Sequence, residues 1–597
     1  MGGRRTGGRR GWTSFAALIA AVALGAALPA GPARAAPDPA LLSVSAITAG
    51  MTGVGRTVFV GTRVSEFQVR VLGILRNAGP AGDLVLFRAS GKALEGTGGL
   101  AAGMSGSPIY LGGRLAGAFS YSLQASDPYI GLFTPIEYML RDLPQSGALP
   151  ASRTGAIAPP VRVAGRLISR ITVEESARAA RPPIPGSLVA VPAATPLFLT
   201  GLDDRGQTSL AELLAPRGVV PMTGGSSAAL PPSTSLEPGS AIGVALIRGD
   251  IGGYAIGTLT YRDGNRLVAF GHPFMNVGPS SYPLTNAMIL QTVRGLSQNI
   301  KIGAAGSVVG MVTEDRPAAI GGSFGVLPRL FGVVVRVTDD ETGTTRRFVY
   351  QVIPDKALAP TLVTLGARGA IERALNRSGA GTARLNMTVR GRGLPDPITR
   401  DNRYYSASDI AGQALSEVPA ALKLVFNNDF TNALPTDMDL DVHVTSVQET
   451  AVITAAEVSD RNVAPGSAVH VRVTVRPFRG APETRDVTIS VPRDLPSGPA
   501  LLVVRAGGTS ALPGGVAAAA IGPTPAPARS LADAISTFEQ QERHTDIVAE
   551  ILTAGAPQAA QTGSGSGDLG RVSTTAATSW VMDGRIPILL RVGGGSH

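Results

Sequence analysis

Short apolar runs separated by turn residues make up the chain from residue 41 to about residue 143, a pattern typical of β-strands joined by tight turns. Gly112 and Gly113 separate two of these runs and accept the positive φ angles of a two-residue hairpin turn. A short helix is predicted after Thr134, because Pro135 and Glu137 follow it as in a capping box. The predicted strands of this segment span residues 57–60, 67–75, 84–87, 107–111 and 114–120.

Strand patterns return further along the chain, and at 468–476 four valines alternate strictly with polar residues. That period of two predicts a half-buried strand of a small β-sandwich. Helical patches are predicted at 364–375, 410–424 and 531–552. We therefore divide the chain into a signal peptide (1–35), a first strand-rich region (36–150), a Pro/Ala-rich insert (151–235), a second strand-rich region (236–352), a mixed α/β connection (353–436), a β-sandwich-like domain (437–510) and a C-terminal helix, Gly/Ser linker and strand (511–597).

The composition supports a mainly β protein and narrows its chemistry. Gly (75) and Pro (45) approach a fifth of the 597 residues, which favours short strands and turns. The chain has no cysteine, which excludes disulfides, a thiol nucleophile and thiolate metal sites. The net charge of +10 comes from scattered arginines without interleaved aromatics, so we expect no nucleic-acid partner. No metal-binding or phosphate-loop motif occurs, so we expect no metal and no cofactor.

The N-terminus has the pattern of an export signal. Four arginines at 4–10 precede an apolar stretch at 15–28, and Ala33-Arg34-Ala35 supplies a cleavage site. The alternative is a membrane anchor, but the apolar stretch is short for a bilayer and ends at Pro29. We expect a protein that is exported to the periplasm, cell surface or medium, with no membrane span after cleavage.

Two motifs carry candidate chemistry. The first is Gly103-Met104-Ser105-Gly106-Ser107-Pro108, in which small residues let a tight turn present a serine at the start of a strand. Its amides at Gly103 and Ser105 are candidates for an oxyanion hole. The second is His272, which ends a predicted strand in Phe270-Gly271-His272 and would supply the base that a serine nucleophile needs. Taken separately, each motif is also compatible with a purely structural turn.

The residues around these motifs resemble the stage IV sporulation protein B (SpoIVB) peptidase family. The resemblance rests on the segments 66–69, 97–109 and 113–118 around the serine, and 256–261 and 270–272 around the histidine. It implies a chymotrypsin-like double β-barrel, mainly β, whose two halves are the regions 36–150 and 236–352. It also implies that Ser105 is the nucleophile and His272 its general base.

The sequence departs from the family's pattern in ways that leave the third catalytic residue open. The serine half precedes the histidine half, the reverse of the family's order, although catalytic triads occur in several chain orders. The family's aspartate before the nucleophile corresponds to Ser90 here. Asp315 is our candidate replacement, with Asp83 as an alternative, and either is also compatible with a surface or turn carboxylate. The family's peptide-binding domain has no room before the first half.

These observations predict an exported serine endopeptidase that uses a Ser105/His272 pair on a protein or peptide substrate, or on the chain itself. The alternative is a non-catalytic barrel scaffold that binds partners at the cell surface or in the periplasm, with both turn motifs kept for structure. Cleavage specificity and oligomeric state do not follow from the sequence.

The export signal leads to a direct test. N-terminal sequencing of the protein recovered outside the cytoplasm should begin at Ala36 or within a few residues of it, because Ala33-Arg34-Ala35 precedes that position. A mature chain that still begins at Met1 would contradict the prediction.

Overall fold

The structure is a computed structural model that describes residues 40–124, 126–141, 152–174, 185–224, 230–233, 235–295, 298–495, 497–509, 527–553 and 571–593. It is mainly β, with 56% strand and 14% helix, which confirms the predicted fold class. The predicted signal peptide and the Gly/Ser linker lie outside the described residues. No helix in the described ranges is both long and apolar enough to cross a bilayer.

The first barrel is a closed ring of six strands, in the order β5-β1-β2-β3-β7-β6, and the ring closes through the pairing of β5 with β6. Alternating apolar residues along β2 fill its interior. Its elements are a 3₁₀ turn at Val44–Ala46, β1 (Thr52–Val58), β2 (Val64–Gly79), β3 (Gly82–Ser90), α1 (Lys92–Thr97), β4 (Ala101–Ala102), β5 (Pro108–Leu111), β6 (Arg114–Leu123), β7 (Ile130–Pro135) and α2 (Ile136–Arg141).

The predicted insert does not form a separate unit, since its strands extend the sheets on either side of it. Its elements are β8 (Ser152–Val163), β9 (Arg166–Glu174), β10 (Ser187–Pro192), β11 (Thr195–Thr200), α3 (Asp204–Leu214), a 3₁₀ turn at Ala215–Arg217 and β12 (Val219–Thr223). β10 pairs with β6, which adds β8–β10 to the first sheet. The next two strands, β11 and β12, belong to the second large sheet.

The second barrel is also a ring of six strands. Its members are β13 (Ala241–Gly249), β14 (Gly252–Asp263), β15 (Arg266–Ala269), β16 (Gly278–Val293), β17 (Asn299–Arg316) and β18 (Ala319–Phe324). They pair in the order β14-β15-β18-β17-β16-β13, and β13 pairs back to β14. β11 joins this sheet by pairing with β14. The two rings correspond to the two barrel halves that the sequence predicts.

The sheet of the second barrel continues into an α/β layer. Its elements are β19 (Phe331–Asp339), β20 (Thr344–Val352), α4 (Ala359–Leu375), β21 (Gly381–Arg392), β22 (Ile398–Ser406), α5 (Ile410–Ala414), α6 (Val418–Phe426) and β23 (Leu434–Thr445). We predicted that residue 437 begins the sandwich domain, but β23 pairs with β19 and β21 in this layer. The reason is that the buried alternate residues of β23 complete the core beneath α4 and α6.

A β-sandwich forms the C-terminal part. Its strands are β24 (Thr450–Val458), β25 (Asn462–Val463), β26 (Ala468–Pro477), β27 (Glu483–Ser490), β28 (Gly498–Ala506), β29 (Asp546–Thr553), β30 (Arg571–Ala577), β31 (Val581–Asp583) and β32 (Arg585–Val592). The helix between β28 and β29, α7 (Leu531–Glu539), packs on the core of the α/β layer. A four-stranded and a five-stranded sheet share one core, and the alternating valines of β26 are buried in it.

The predicted helix at 531–552 is half helix and half strand. The helix ends at Glu539. The strand β29 follows because every second residue, Ile547, Ala549 and Ile551, is buried, which is the period of two of a strand. β28 pairs with both β29 and β32, so the predicted segments 437–510 and 511–597 contribute to one sandwich.

The two barrels meet where the turn between β4 and β5 lies on β14. Gly106 in this turn has a φ of +89°, and a Cβ on it would lie 2.1 Å from the Thr258 carbonyl oxygen and 2.5 Å from the Phe270 amide nitrogen. Only a glycine fits between these backbones. Thr260 donates a hydrogen bond of 2.7 Å to the Gly106 carbonyl across the same contact.

Gly106→Ala should therefore destabilise the joint between the barrels. We expect a loss of more than about 3 kcal/mol of unfolding free energy, because backbone atoms on the facing strand cannot make room for the methyl group. Urea unfolding followed by circular dichroism measures it.

Gly112→Ala is the matched control. Gly112 also has a positive φ, +55°, but nothing lies within 4 Å of the position of its Cβ. It should cost about 1 kcal/mol, the penalty for the left-handed backbone alone. Equal losses in the two variants would contradict the close contact.

Candidate active site

The serine motif forms a tight turn between β4 and β5. Gly103 and Gly106 both have positive φ angles, +85° and +89°, which fold the backbone around Ser105. The Ser107 hydroxyl donates to the Met104 carbonyl at 2.6 Å and fixes the turn internally. The amides of Met104, Gly106 and Ser107 also donate to carbonyls. Among the described hydrogen bonds the Ser105 amide donates none, so it is available as an oxyanion-hole donor.

His272 lies in the turn that follows β15, three residues after the strand ends at Ala269. Phe270 and Gly271 both adopt positive φ angles, +70° and +74°, and turn the chain so that His272 leaves the strand. The Thr134 hydroxyl of the first barrel donates to the Gly271 carbonyl at 2.7 Å. This hydrogen bond fixes the histidine turn of the second barrel against β7 of the first.

The serine turn and the histidine turn lie against the same backbone segments. The Ser105 carbonyl accepts a hydrogen bond of 2.9 Å from the Thr258 amide on β14, and the Gly106 amide donates to the Phe119 carbonyl at 2.8 Å. A Cβ on Gly271 would lie 3.1 Å from that same Phe119 oxygen. The structure therefore brings together the two motifs that the sequence singled out.

Both reactive side chains are buried. Ser105 is 0% exposed and His272 is 1% exposed. Within the part of the chain that the structure describes, the Ser105 Oγ and the His272 Nε2 have no hydrogen-bond partner, and they do not bond to each other. Since leaving a buried polar atom unpaired costs about 1–3 kcal/mol, two such atoms on neighbouring segments mark a site that is not optimised for stability.

The hydrogen bonding of His272 leaves Nε2 as the ring nitrogen that can accept a proton. Nδ1 lies 2.7 Å from the Pro273 carbonyl oxygen, which can only accept, so Nδ1 carries the proton and Nε2 the lone pair. Burial lowers the pKa of the imidazole from 6.5 to about 4, and the bond to Pro273 opposes part of that change. The ring is therefore neutral at physiological pH.

Asp315 does not contact the imidazole in this geometry. Its carboxylate accepts hydrogen bonds from the Phe274 amide at 2.8 Å and the Met275 amide at 2.6 Å, and so holds the loop that follows His272. The position that a third catalytic residue would occupy at Nδ1 is taken by the Pro273 carbonyl. Burial raises the pKa of Asp315 to about 6, opposed by these backbone donors. Asp315 thus supports His272 through the loop and not through the ring.

Asp83, the alternative carboxylate, has no described hydrogen bond or ion pair with Ser105 or His272. It accepts from the Asn77 amide at 2.8 Å and pairs with Arg76 at 2.5 Å at the hairpin between β2 and β3. These contacts make it a turn carboxylate.

Sequence reasoning missed three polar residues beside the serine turn. The hydroxyls of Thr258 and Thr260 donate to the carbonyls of Gly103 and Gly106. Lys301 is fully buried and passes alongside Gly103. The available signal was a lysine in the otherwise small and apolar run 299–310, in a chain with only four lysines.

A cleft adjoins the loop after His272. Residues 273–276 form one wall, and Tyr121, Pro192 and Arg217 contribute to the others. Neither Ser105 nor His272 lines it. The cleft therefore borders the loop that Asp315 holds.

Comparison with known families agrees with this geometry. Residues 41–140 match the family model described as SpoIVB peptidase S55. This SpoIVB peptidase segment contains the whole first barrel and Ser105, and it ends before the second barrel and His272. The match supports a serine peptidase-like domain in this chain.

The other comparisons add no relative. No curated protein and no solved structure matches the chain. Within the described ranges no group of His, Asp and Glu side chains is arranged to hold a metal ion.

The depressed pKa of His272 predicts a pH-dependent stability. Between about pH 6.5 and pH 4 the unfolded chain binds a proton at this histidine and the folded chain does not, so stability falls as the pH falls. We expect His272→Gln to abolish this part of the loss, on the order of 3 kcal/mol over the window. Urea unfolding at pH 7 and pH 4.5 measures it.

His470→Gln is the control, since His470 is exposed on β26. It should lose as much stability at low pH as the unmodified protein. Asp315 contributes with the opposite sign, because its raised pKa makes the folded chain hold its proton longer. Asp315 is present in the unmodified protein and in both variants, so its contribution to the stability change cancels from the comparison. An equal pH dependence in all three would contradict the buried, neutral imidazole.

Proposed function

We propose that the protein is a serine endopeptidase in which Ser105 and His272 form the catalytic pair. The observation that carries this proposal is the pair of unpaired buried atoms, Ser105 Oγ and His272 Nε2, on two turns packed against the same backbone. A structural serine and a structural histidine would be expected to satisfy these atoms. The SpoIVB peptidase match over the serine barrel supports the same reaction class.

In the proposed reaction His272 Nε2 takes the Ser105 hydroxyl proton while Oγ attacks the peptide carbonyl carbon. The amides of Ser105 and Gly103 stabilise the negative charge on the carbonyl oxygen. The imidazolium then returns the proton to the leaving amine, and water hydrolyses the acyl-enzyme by the same steps in reverse. The Pro273 carbonyl keeps the ring in the required tautomer throughout.

Access to the pair requires movement, because both side chains are buried. The loop 273–276 follows His272 and lines the cleft, and two hydrogen bonds to Asp315 hold it in place. We propose that a peptide enters through this cleft and displaces the loop. The substrates we propose are exported proteins or the chain itself, in keeping with the export signal.

One observation favours a second function, a non-catalytic binding scaffold. The complete burial of Ser105 excludes substrate from it in the conformation described. The C-terminal sandwich, with its own core, would then supply the binding surface. In this case both turns serve only to join the barrels.

A fluorophosphonate probe distinguishes the two functions, since it labels an activated serine and not a structural one. We expect the unmodified protein to be labelled, and Ser105→Ala and His272→Ala each to abolish labelling and any self-cleavage. Because the two side chains act as one unit, the double variant should be no worse than either single one. Labelling is followed by in-gel fluorescence and activity by casein hydrolysis.

Ser107→Ala is the matched control in the same turn. It removes the hydroxyl that donates to Met104, so it should loosen the turn and reduce labelling without abolishing it. Loss of labelling in Ser107→Ala with retention in Ser105→Ala would identify Ser107 as the nucleophile. A folded protein that is inert towards both probe and casein would favour the scaffold.

A further inference from the structure

Lys301 is a buried cation without an anionic partner. Its side chain is 0% exposed, and its Nζ donates to the Thr57 hydroxyl at 2.6 Å. No carboxylate in the described part of the chain forms an ion pair with it. Burial lowers its pKa from 10.5 to about 7. Since an unpaired buried ammonium costs several kcal/mol, a methionine would suit the fold better.

The strand that carries Lys301 runs beside the strand that leads to the nucleophile. Asn299 and Ile300 on β17 pair in parallel with Ala101 and Ala102 on β4. A Cβ on Gly103 would lie 3.2 Å from the Lys301 Cβ and 3.6 Å from its Cδ. The lysine stem therefore lies along one of the two proposed oxyanion-hole residues.

The end of the lysine lies beneath the same turn. β1 pairs with β5 so that Gly55 is opposite Ile109, and continuing this register by two residues places Thr57 opposite Ser107. The Thr57 hydroxyl is the hydrogen-bond partner of Nζ. The ammonium is thus held between β1 of the first barrel and β17 of the second, next to the turn 103–107.

We infer that Lys301 is a positioning residue of the nucleophile turn, which braces Gly103 and supplies positive charge to the oxyanion hole from below. This inference rests on the proposed peptidase function. Charge that develops on a carbonyl oxygen in a water-excluded site is stabilised strongly by a fixed cation nearby. The turn 103–107 has no charged residue. Lys301 therefore supplies a positive charge that the amides of the turn alone do not.

Other charged groups on the elements that pack around Lys301 do not replace its positive charge. On the first barrel, Arg56 of β1 pairs with Glu66 of β2. After β16, the Arg294 side chain lies against Gly98 in the loop before β4. Towards the far end of β17, Glu314 pairs with Arg316.

The test is the pH dependence of fluorophosphonate labelling of the full chain. Lys301→Met should label at least tenfold more slowly than the unmodified protein at pH 6, and should show no loss of rate between pH 7 and pH 9. The unmodified protein should lose rate as Lys301 deprotonates above about pH 7. Lys301→Arg, whose charge does not titrate in this range, should keep its rate to pH 9.

Thermal melting separates this role from a structural one. Lys301→Met removes a buried charge, so its melting temperature should equal or exceed that of the unmodified protein. Lys423→Met, at an exposed lysine on α6, is the control and should change neither measurement.

Three results would overturn the inference. Labelling of Lys301→Met with an unchanged rate and pH profile would reject it and leave the proposed function standing. Slower labelling together with a lower melting temperature would assign Lys301 a structural role. A folded, unmodified protein that is not labelled would reject the proposed function and the inference with it.

Discussion

The contact between two backbones at Gly106 is the constraint on which the site depends. This residue has no side chain, so the serine turn of one barrel lies directly on β14 of the other. The contact places the Ser105 carbonyl against the Thr258 amide and the Gly106 carbonyl against the Thr260 hydroxyl. Each barrel therefore contributes one motif, and neither motif is complete without the other barrel.

The same close packing explains why three buried groups have shifted pKa values. His272 and Lys301 are bases whose pKa values burial lowers, and Asp315 is an acid whose pKa burial raises. All three changes favour the neutral form, as expected where water is excluded. Replacing such groups by apolar ones is often neutral or stabilising, so their burial near the two turns is in keeping with the proposed function.

The local patterns of the sequence predicted many of the strands and the two turns, and the resemblance to the SpoIVB family implied the two barrels. Gly-Gly hairpins, the glycines around Ser105 and the glycine before His272 have conformational requirements that are visible residue by residue. The register between distant strands is not visible in this way. Nothing in the run 299–310 indicates that β17 pairs with β4, so Lys301 could not be placed beside Gly103.

Asp315 shows a second limit of the sequence. Its distance along the chain from His272 gave no indication of whether its carboxylate would meet the ring or the backbone of the following loop. The antiparallel pairing of β16 and β17, which sets Asp315 opposite Gly278, decides this in favour of the loop. The sandwich boundary was wrong for a similar reason, because β23 finds its partners in strands about fifty and a hundred residues earlier.

Ring closure has a consequence for how such a chain could arise. Each barrel closes its own ring of six strands, through β5–β6 in one and β13–β14 in the other. The joint between them includes the parallel pair β4–β17 and the hydrogen bonds between the serine turn and β14, and these contacts do not depend on which barrel is synthesised first. A gene rearrangement that exchanges the two halves would therefore preserve both folding units and their shared seam. The reversed order of the serine and histidine halves, relative to the family they resemble, is a change of connectivity that the architecture tolerates.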